Sequence, residues 1–331
     1  MENLYFAFNA IAPILIQVYL GYALARIGFL KEDFLKNANS FVFKVALPCL
    51  LFVNVYSIGS LTEINFSFVL YCIGFVSLLF AAGLVFVKFA IPKDSQKGVI
   101  LQCVFRSNFA IIGIPLAESL GSAAAKGAAA VLSAFTIPLY NILSVFALSI
   151  WSGESGNGKK KVRSIIHSIV TNPLIIGVAL GVVALIIRSF EFGFTLKGNL
   201  PFLYTSIESV SRMATPLALI VLGGRFDLKT TRGSLREIII GVLSRTVISP
   251  ALAIFLAVIL SKYTDFFTFT ATEYPSIIAL FGTPVAVASA VMADEMKNDG
   301  RLAAQLVVWT SIVSIVTIYI TIVIMRTLGL L

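Results

Sequence analysis

Apolar residues run through the chain in ten long blocks, which short stretches rich in charged residues, glycine and proline separate. Each block holds about 20 residues, enough for a helix to cross a hydrocarbon core of about 30 Å. The pattern predicts an all-α polytopic membrane protein with ten transmembrane helices. The predicted spans one to ten cover residues 7–27, 39–57, 66–90, 99–118, 125–151, 165–188, 203–224, 235–261, 275–294 and 301–326.

Two of the spans contain an interruption with proline. Span four includes residues 106–118 (RSNFAIIGIPLAE), with Pro115, and span nine includes residues 280–286 (LFGTPVA), with Pro284. Proline lacks an N–H and clashes with the preceding turn, so both helices are expected to break and to free backbone groups at mid-membrane depth. Ordinary proline kinks are the simpler interpretation of either site alone. A matching pair of breaks in two halves of a chain points instead to a transport site.

The two halves of the chain repeat each other. Residues 13–21 (PILIQVYLG) and 173–181 (PLIIGVALG) share five identities in nine positions. Pro48 and Pro115 recur as Pro216 and Pro284 at a similar spacing. Each copy has five spans, and an odd number of spans forces the copies into opposite orientations, so we predict two inverted five-helix repeats. The predicted units are residues 1–151 and 165–331, joined by a cytoplasmic linker at 152–164.

Composition supports insertion in a membrane, because the chain is 58% hydrophobic and only 12% charged, about half the charged fraction of a soluble domain. The net charge of +9 does not indicate nucleic-acid binding, since the basic residues are scattered through short loops. Most of the 25 Lys and Arg residues lie in loops that follow odd-numbered spans. Such loops stay cytoplasmic, which places both termini on the outer side of a plasma membrane, or of a bacterial inner membrane.

The half-helix after each break is expected to present free N–H groups and the positive end of its dipole, so an anion is the natural ligand. Asn108 adds both a donor and an acceptor, although an asparagine in a membrane helix also commonly bonds a neighbouring helix. The amides around Gly113 and Ile114 are further expected donors. The candidate substrate-binding residues are Arg106, Ser107, Asn108, Gly113, Ile114, Pro115, Gly282, Thr283, Pro284, Asn54 and Asn141.

Charged residues inside spans are few, and each costs about 2.5–3.5 kcal/mol at mid-bilayer. Lys44, Arg106 and Arg245 are therefore expected to reach the interface, pair or face water. For Arg106 two interpretations stay open: contact with an anionic substrate, or extension of the side chain to the cytoplasmic interface. Glu208 and Arg212 have the spacing of an ion pair on one helix.

The sequence holds no pattern typical of an enzyme or a metal centre. Its cysteines, Cys49, Cys72 and Cys103, lie in apolar runs without metal-binding spacing, and we expect them to be buried as small hydrophobic residues. The single histidine, His167, is expected at the cytoplasmic interface. We expect no enzymatic activity and no cofactor. Coupling to H⁺ or Na⁺ is not indicated but stays open, since backbone carbonyls can bind sodium. The Gly177-x-x-x-Gly181 motif predicts close helix packing, more readily within the chain than in a dimer.

The chain resembles the auxin efflux carrier family of bacterial and plant membrane transporters. The most specific likeness is residues 108–116 (NFAIIGIPL), and it extends to Leu47-Pro48, Thr283-Pro284 and residues 299–304 (DGRLAA). The resemblance covers nearly the whole chain. The long cytoplasmic loop of the plant auxin carriers is missing, so the short chain is similar to the bacterial PIN-like members.

The resemblance implies a scaffold from spans one, two, six and seven and a mobile transport unit from spans three to five and eight to ten. It also implies elevator-like alternating access, a homodimer, and small organic anions such as auxin, malate or malonate as cargo. By the family motif, Asn108, Pro115 and Pro284 match the positions where the two broken helices cross. The short chain favours small carboxylates over auxin.

These observations favour a secondary transporter of small organic anions, with the substrate and the membrane lipids as its partners besides a second copy of the chain. An anion channel built from the same broken helices is one alternative. A membrane sensor that binds a ligand without moving it is another.

Overall fold

The computed structural model describes residues 2–57, 65–121, 123–151, 166–167, 169–189, 195–226 and 233–331. Within these residues the chain forms helices and one isolated β-bridge. The helices are α1 (Glu2–Arg26), α2 (Glu32–Tyr56), α3 (Phe66–Ala90), α4 (Asp94–Phe105), α5 (Phe109–Leu120), α6 (Ala123–Ile150), α7 (Pro173–Ser189), α8 (Pro201–Gly224), α9 (Leu235–Tyr263), α10 (Tyr274–Gly282), α11 (Ala288–Glu295) and α12 (Gly300–Thr327). A single helical turn at Leu196–Asn199 precedes α8. The predicted linker at 152–164 lies outside the described residues.

Six helices are long and apolar enough to cross a membrane, namely α2, α3, the Gly127–Ile150 part of α6, α8, α9 and α12. Shorter apolar helices lie in α1, α5 and α7. The predicted spans four and nine are each divided in two, as α4 with α5 and α10 with α11, so none of these pieces reaches the length that a span requires. The prediction of an all-helical membrane fold is confirmed at this level.

The outer surface carries many large apolar side chains. Phe89, Phe255 and Ile324, for example, are all more than half exposed. A soluble protein rarely shows so much apolar surface, whereas lipid tails solvate it. The exposed side chains therefore mark the surface that faces the bilayer.

Two pairs of helices approach each other closely through glycine. Helix α1 packs along α8, where a Cβ added to Gly223 would overlap the carbonyl oxygen of Val18. Helix α2 packs along α7, where a Cβ on Gly177 would lie 2.6 Å from the carbonyl oxygen of Pro48. The packing role predicted for the Gly177-x-x-x-Gly181 motif is confirmed, and the partner of the motif is a helix of the same chain.

The most deeply buried elements are the two half-helices that precede the interruptions. Every residue of α10 is buried, as is α4 from Gly98 to Phe105. Helices α6, α9 and α12 pack around both of them. This arrangement places the carboxyl ends of α4 and α10 in the centre of the protein, away from lipid.

Candidate functional site

The two interruptions consist of short extended segments. Helix α4 ends where Arg106 adopts φ −90° and ψ 118°, and α5 begins after Asn108. Helix α10 ends before Thr283, which has φ −72° and ψ 153°, and α11 begins after Val287. We refer to residues 106–108 and 283–287 together as the crossover.

The two segments of the crossover are hydrogen-bonded to each other. Ser107 and Val285 form an antiparallel bridge, and the Asn108 amide donates to the Pro284 carbonyl at 2.8 Å. The Val285 amide donates to Thr310 Oγ1 at 3.2 Å. The backbone amides of Asn108 and Val285 are thus satisfied inside the protein, as membrane depth requires. Four half-helix ends meet at this point.

The first interruption does not lie at Pro115. Residues 109–113 form a wide π-helical turn, and Pro115 then falls in the first turn of the regular helix that follows. Proline is tolerated at the start of a helical segment because the missing N–H has no partner there. The break therefore precedes Pro115 by about two helical turns, whereas Pro284 does lie within the second break.

The expectation that the amides of Gly113 and Ile114 are free is wrong. The Gly113 amide donates to the Asn108 carbonyl at 3.3 Å, and the Ile114 amide donates to the Phe109 carbonyl. The first turn of a helix leaves its amides without partners inside the helix. In α5 this turn starts at Phe109 rather than at Gly113, so the open amides lie at the crossover itself.

A small cavity of about 70 Å³ lies beside the crossover. The first turns of both following half-helices contribute to its wall, through Ala110 and Ile111 of α5 and through Ala288 of α11 with the preceding Val287. Helices α2, α6 and α8 supply the rest. The cavity is lined by Leu47, Leu50, Leu51, Asn54, Arg106, Ser107, Asn108, Ala110, Ile111, Ile137, Tyr140, Asn141, Ala214, Thr215, Ala218, Ala286, Val287 and Ala288.

Five of the predicted site residues line this cavity, and six do not. The five are Asn54, Arg106, Ser107, Asn108 and Asn141. The six outside it are Gly113, Ile114, Pro115, Gly282, Thr283 and Pro284. The side chain of Pro115 is exposed, and Thr283 and Pro284 accept hydrogen bonds through their backbone carbonyls.

Arg106 is the charged residue of the cavity, and it is only 4% exposed. Its Nη2 donates to Asn141 Oδ1 at 3.0 Å, and its Nη1 contacts the sulfur of Met292. The Asn141 amide nitrogen in turn donates to the Ile137 carbonyl at 2.8 Å, which fixes the orientation of the amide. Among the described residues no carboxylate pairs with this guanidinium. Arg106 therefore does not extend to the interface, and its charge is not neutralised within the described chain.

Tyr140 is a lining residue that sequence reasoning missed. Its hydroxyl lies 3.2 Å from Ser107 Oγ, and the side chain is almost fully buried. Its position one residue before Asn141 in α6 places both side chains beside the first segment of the crossover. No motif in the sequence distinguishes Tyr140 from the other tyrosines of the apolar runs.

Arg245 lies on the other side of the crossover and is completely buried. Its Nε donates to the Thr283 carbonyl at 3.0 Å. The sequence indicated only that a charge inside span eight must reach the interface, pair or face water. Backbone carbonyls satisfy it instead.

The remaining predicted charges and cysteines have ordinary surroundings. Glu208 and Arg212 form the expected ion pair at 3.2 Å on the surface of α8. His167 is exposed. The three cysteines are free; Cys72 and Cys103 are buried, and Cys49 is half-buried.

Comparison with known proteins identifies the family of the chain. The family model described as "Membrane transport protein" matches residues 6–322. The chain belongs to the auxin efflux carrier family. An uncharacterized transporter of Methanocaldococcus jannaschii is 24% identical over 314 residues, which cover 94% of this chain and 96% of that protein. The resemblance indicated by residues 108–116 is thus confirmed at the level of the family.

Membership of the auxin efflux carrier family makes the chain an integral membrane transport protein, and the family is one of transporters rather than enzymes. The crossover cavity is a candidate for the place where this transporter binds its cargo. A second, larger cavity of about 530 Å³ lies between the ends of α1 and α8 and the start of α12. Arg26, Arg225, Arg301, Glu32 and Asp294 contribute charges to its wall.

Proposed function

We propose that this member of the auxin efflux carrier family is a secondary transporter of small organic anions. The observation that supports this most strongly is the buried guanidinium of Arg106, which lines the crossover cavity without a carboxylate partner among the described residues. A buried charge is expensive unless it is paired. A carboxylate of the cargo supplies the missing partner.

The ends of the half-helices favour the same class of ligand. The first turns of α5 and α11 both line the cavity, and the first turn of a helix carries the positive end of the helix dipole. Two such ends and one guanidinium converge on a single small space. Neutral or cationic cargo would leave all three positive groups uncompensated.

The rest of the lining suits a small, partly apolar acid. Asn54 and Asn141 offer amide groups, whereas Leu47, Leu50 and Ile137 offer aliphatic surface. The small volume of about 70 Å³ favours a short chain over a large ring system. Dicarboxylates such as malate or malonate fit this description better than auxin-like acids do.

We further propose that the chain has ten spans in two inverted five-span repeats, with both termini outside the cytoplasm. In this arrangement α1, α2, α7 and α8 form the scaffold, and the close glycine contacts of α1 with α8 and of α2 with α7 support that grouping. The other helices carry the crossover and move as one unit against the scaffold in an elevator-type cycle. A homodimer of scaffolds in the plasma membrane completes the proposal.

Polar contacts between the two proposed units lie at the ends of α8 and α11. Arg225 forms an ion pair with Asp294. Asn39 of α2 donates to Asp294 Oδ2 at 3.0 Å and to Glu295 Oε1 at 3.2 Å. Movement of the transport unit has to break these contacts. They are therefore expected to stabilise the conformation described here over the other end of the cycle.

Uptake into liposomes tests the proposed function. The protein is reconstituted, and uptake of radiolabelled malate, malonate and indole-acetate is measured with and without anion loaded inside. We expect saturable uptake that internal anion stimulates. The Asn108→Ala variant should lose several-fold in uptake because Asn108 lines the cavity, while Asn37→Ala, an exposed position on α2, should not.

Two results would contradict transport by a carrier. Anion conductance without saturation and without stimulation by internal anion would identify a channel. Stabilisation of the protein by an anion that is never taken up would identify a sensor.

A further inference from the structure

Arg245 occupies a site made of backbone carbonyls. Its Nε donates to Thr283 O at 3.0 Å, its Nη2 donates to Leu280 O at 3.1 Å and Phe281 O at 2.5 Å, and its Nη1 donates to Val104 O at 3.4 Å. The side chain is fully buried. Among the described residues no carboxylate forms an ion pair with it. Carbonyl oxygens from two separate segments thus surround one positive charge.

These carbonyls belong to the carboxyl ends of the half-helices that precede the two breaks. Leu280 and Phe281 lie in the last turn of α10, Thr283 follows its end, and Val104 lies in the last turn of α4. The last carbonyls of a helix have no partner within the helix and carry the negative end of its dipole. The guanidinium is therefore bound by the two negative helix ends of the crossover.

The local shape of α9 brings Arg245 to this point. Residues 244–248 form a π-helical turn, a wide turn that is frequent at functional sites. Close contacts hold α9 there, since Cys103 Sγ donates to the Gly241 carbonyl at 3.4 Å. A Cβ on Gly241 would lie 2.5 Å from Leu306, so the backbone of α9 is packed closely against α12 at this position.

Carboxyl ends of broken helices and unwound carbonyls are the groups with which many secondary transporters bind a coupling cation. We propose that Arg245 is a tethered cation that permanently fills this position, so that the crossover binds no Na⁺ and cargo binding at the opposite face does not require it. An arginine side chain stays charged in proteins, and unlike a free ion it cannot dissociate. The statement that cargo binding does not require Na⁺ rests on the proposed function, whereas the statement that Arg245 occupies the carbonyl site does not.

Thermal unfolding in detergent tests the occupation of the site without any transport measurement. Wild type and Arg245→Ala are unfolded in NaCl and, at equal ionic strength, in choline chloride. Wild type should unfold at the same temperature in both salts. Arg245→Ala should unfold at a lower temperature in choline and recover part of the loss in Na⁺, because the vacated carbonyls can then bind the ion.

Arg212→Ala is the matched control, since it removes an exposed arginine from α8. This variant should respond equally to both salts. A shift of wild type to higher temperature in Na⁺ would overturn the proposal, and so would an Arg245→Ala protein that unfolds like wild type in both salts. If Arg245→Ala does not fold, Arg245→Lys is measured in its place. This variant keeps a tethered cation, so its unfolding temperature should be the same in Na⁺ and in choline. A higher unfolding temperature of Arg245→Lys in Na⁺ would overturn the proposal.

Uptake in liposomes then separates the two hypotheses. Malate or malonate uptake by wild type should be equal with Na⁺ or choline outside, and uptake by Arg245→Ala should rise several-fold in Na⁺. Wild-type uptake that requires Na⁺ would overturn the tethered cation and leave the carrier function intact. Absence of uptake together with wild-type insensitivity to Na⁺ in unfolding would overturn the carrier function alone.

Discussion

The two sides of the crossover each contain a buried arginine, and they satisfy it in opposite ways. Arg245 donates to carbonyls at the carboxyl ends of α4 and α10 and has no exposed surface. Among the described residues, Arg106 has Asn141 and the sulfur of Met292 as hydrogen-bond partners, and it lines a cavity. The guanidinium of Arg245 needs no further partner, whereas the cavity beside Arg106 has room for a further hydrogen-bond acceptor.

The two guanidinium groups also face different helix ends. A positive charge at a carboxyl end offsets the negative end of the dipole, whereas a positive charge beside an amino end adds to a positive one. Arg245 therefore neutralises its surroundings, while Arg106 increases the positive potential around the first turns of α5 and α11. Arginine thus neutralises the Arg245 side of the crossover and makes the Arg106 side favourable for an anion.

Removal of the charge of Arg106 should have the largest effect on cargo binding. In Arg106→Gln the cargo loses a charge-assisted hydrogen bond worth about 1.5–3 kcal/mol, so its dissociation constant should rise about 10- to 100-fold. Binding of radiolabelled malonate to purified protein measures this change. Arg212→Gln removes an exposed charge and should bind as wild type does. An unchanged dissociation constant in Arg106→Gln would place the anion elsewhere.

A carboxylate introduced by mutation beside Arg106 should neutralise this guanidinium, as the backbone carbonyls neutralise that of Arg245. Asn141→Asp keeps the shape of the side chain and places a negative charge 3.0 Å from Arg106. We expect malonate affinity to fall about tenfold, or about 1.4 kcal/mol. Isothermal titration with malonate checks this, and thermal unfolding of the same samples checks that the variant is folded. A variant that binds malonate normally would show that Arg106 is not available to the cargo.

The hydroxyl of Tyr140 should matter least. Tyr140→Phe removes its contact with Ser107, a neutral hydrogen bond worth about 1 kcal/mol at most, without touching either guanidinium. Uptake should change by no more than about fivefold. Kinetics of malate uptake in liposomes measure this effect, and a loss as large as that of Arg106→Gln would give Tyr140 a direct part in holding the cargo.

The all-helical membrane character of the fold follows from the apolar runs. The predicted span at 66–90 coincides with α3, and Pro284 lies within a break as expected. The apolar pattern succeeds because helix length and apolar composition are both imposed by the bilayer. Arg106, Ser107 and Asn108 are polar residues at the first break, and Asn54 and Asn141 are polar residues of spans two and five. All five are predicted site residues that line the cavity.

The failures concern local backbone geometry and long-range contacts. The sequence predicts a helix break at Pro115. In the structure the π-helical turn at 109–113 accommodates the proline, and the break lies at residues 106–108 instead. The width of a helical turn is not encoded in residue type alone. Arg245 lies more than 30 residues from its carbonyl partners in sequence, with separations of 35 to Leu280 and 141 to Val104. No periodic pattern reports such contacts.

The location of the bound anion tests the central claim most directly. Cryo-electron microscopy of the protein with saturating malonate, compared with the protein alone, would reveal it. We expect added density in the crossover cavity, within hydrogen-bonding distance of the Arg106 guanidinium and the first turns of α5 and α11, and no such density in Arg106→Gln. Density in the larger cavity beside Arg225, with none at the crossover, would contradict the assignment of the cargo site.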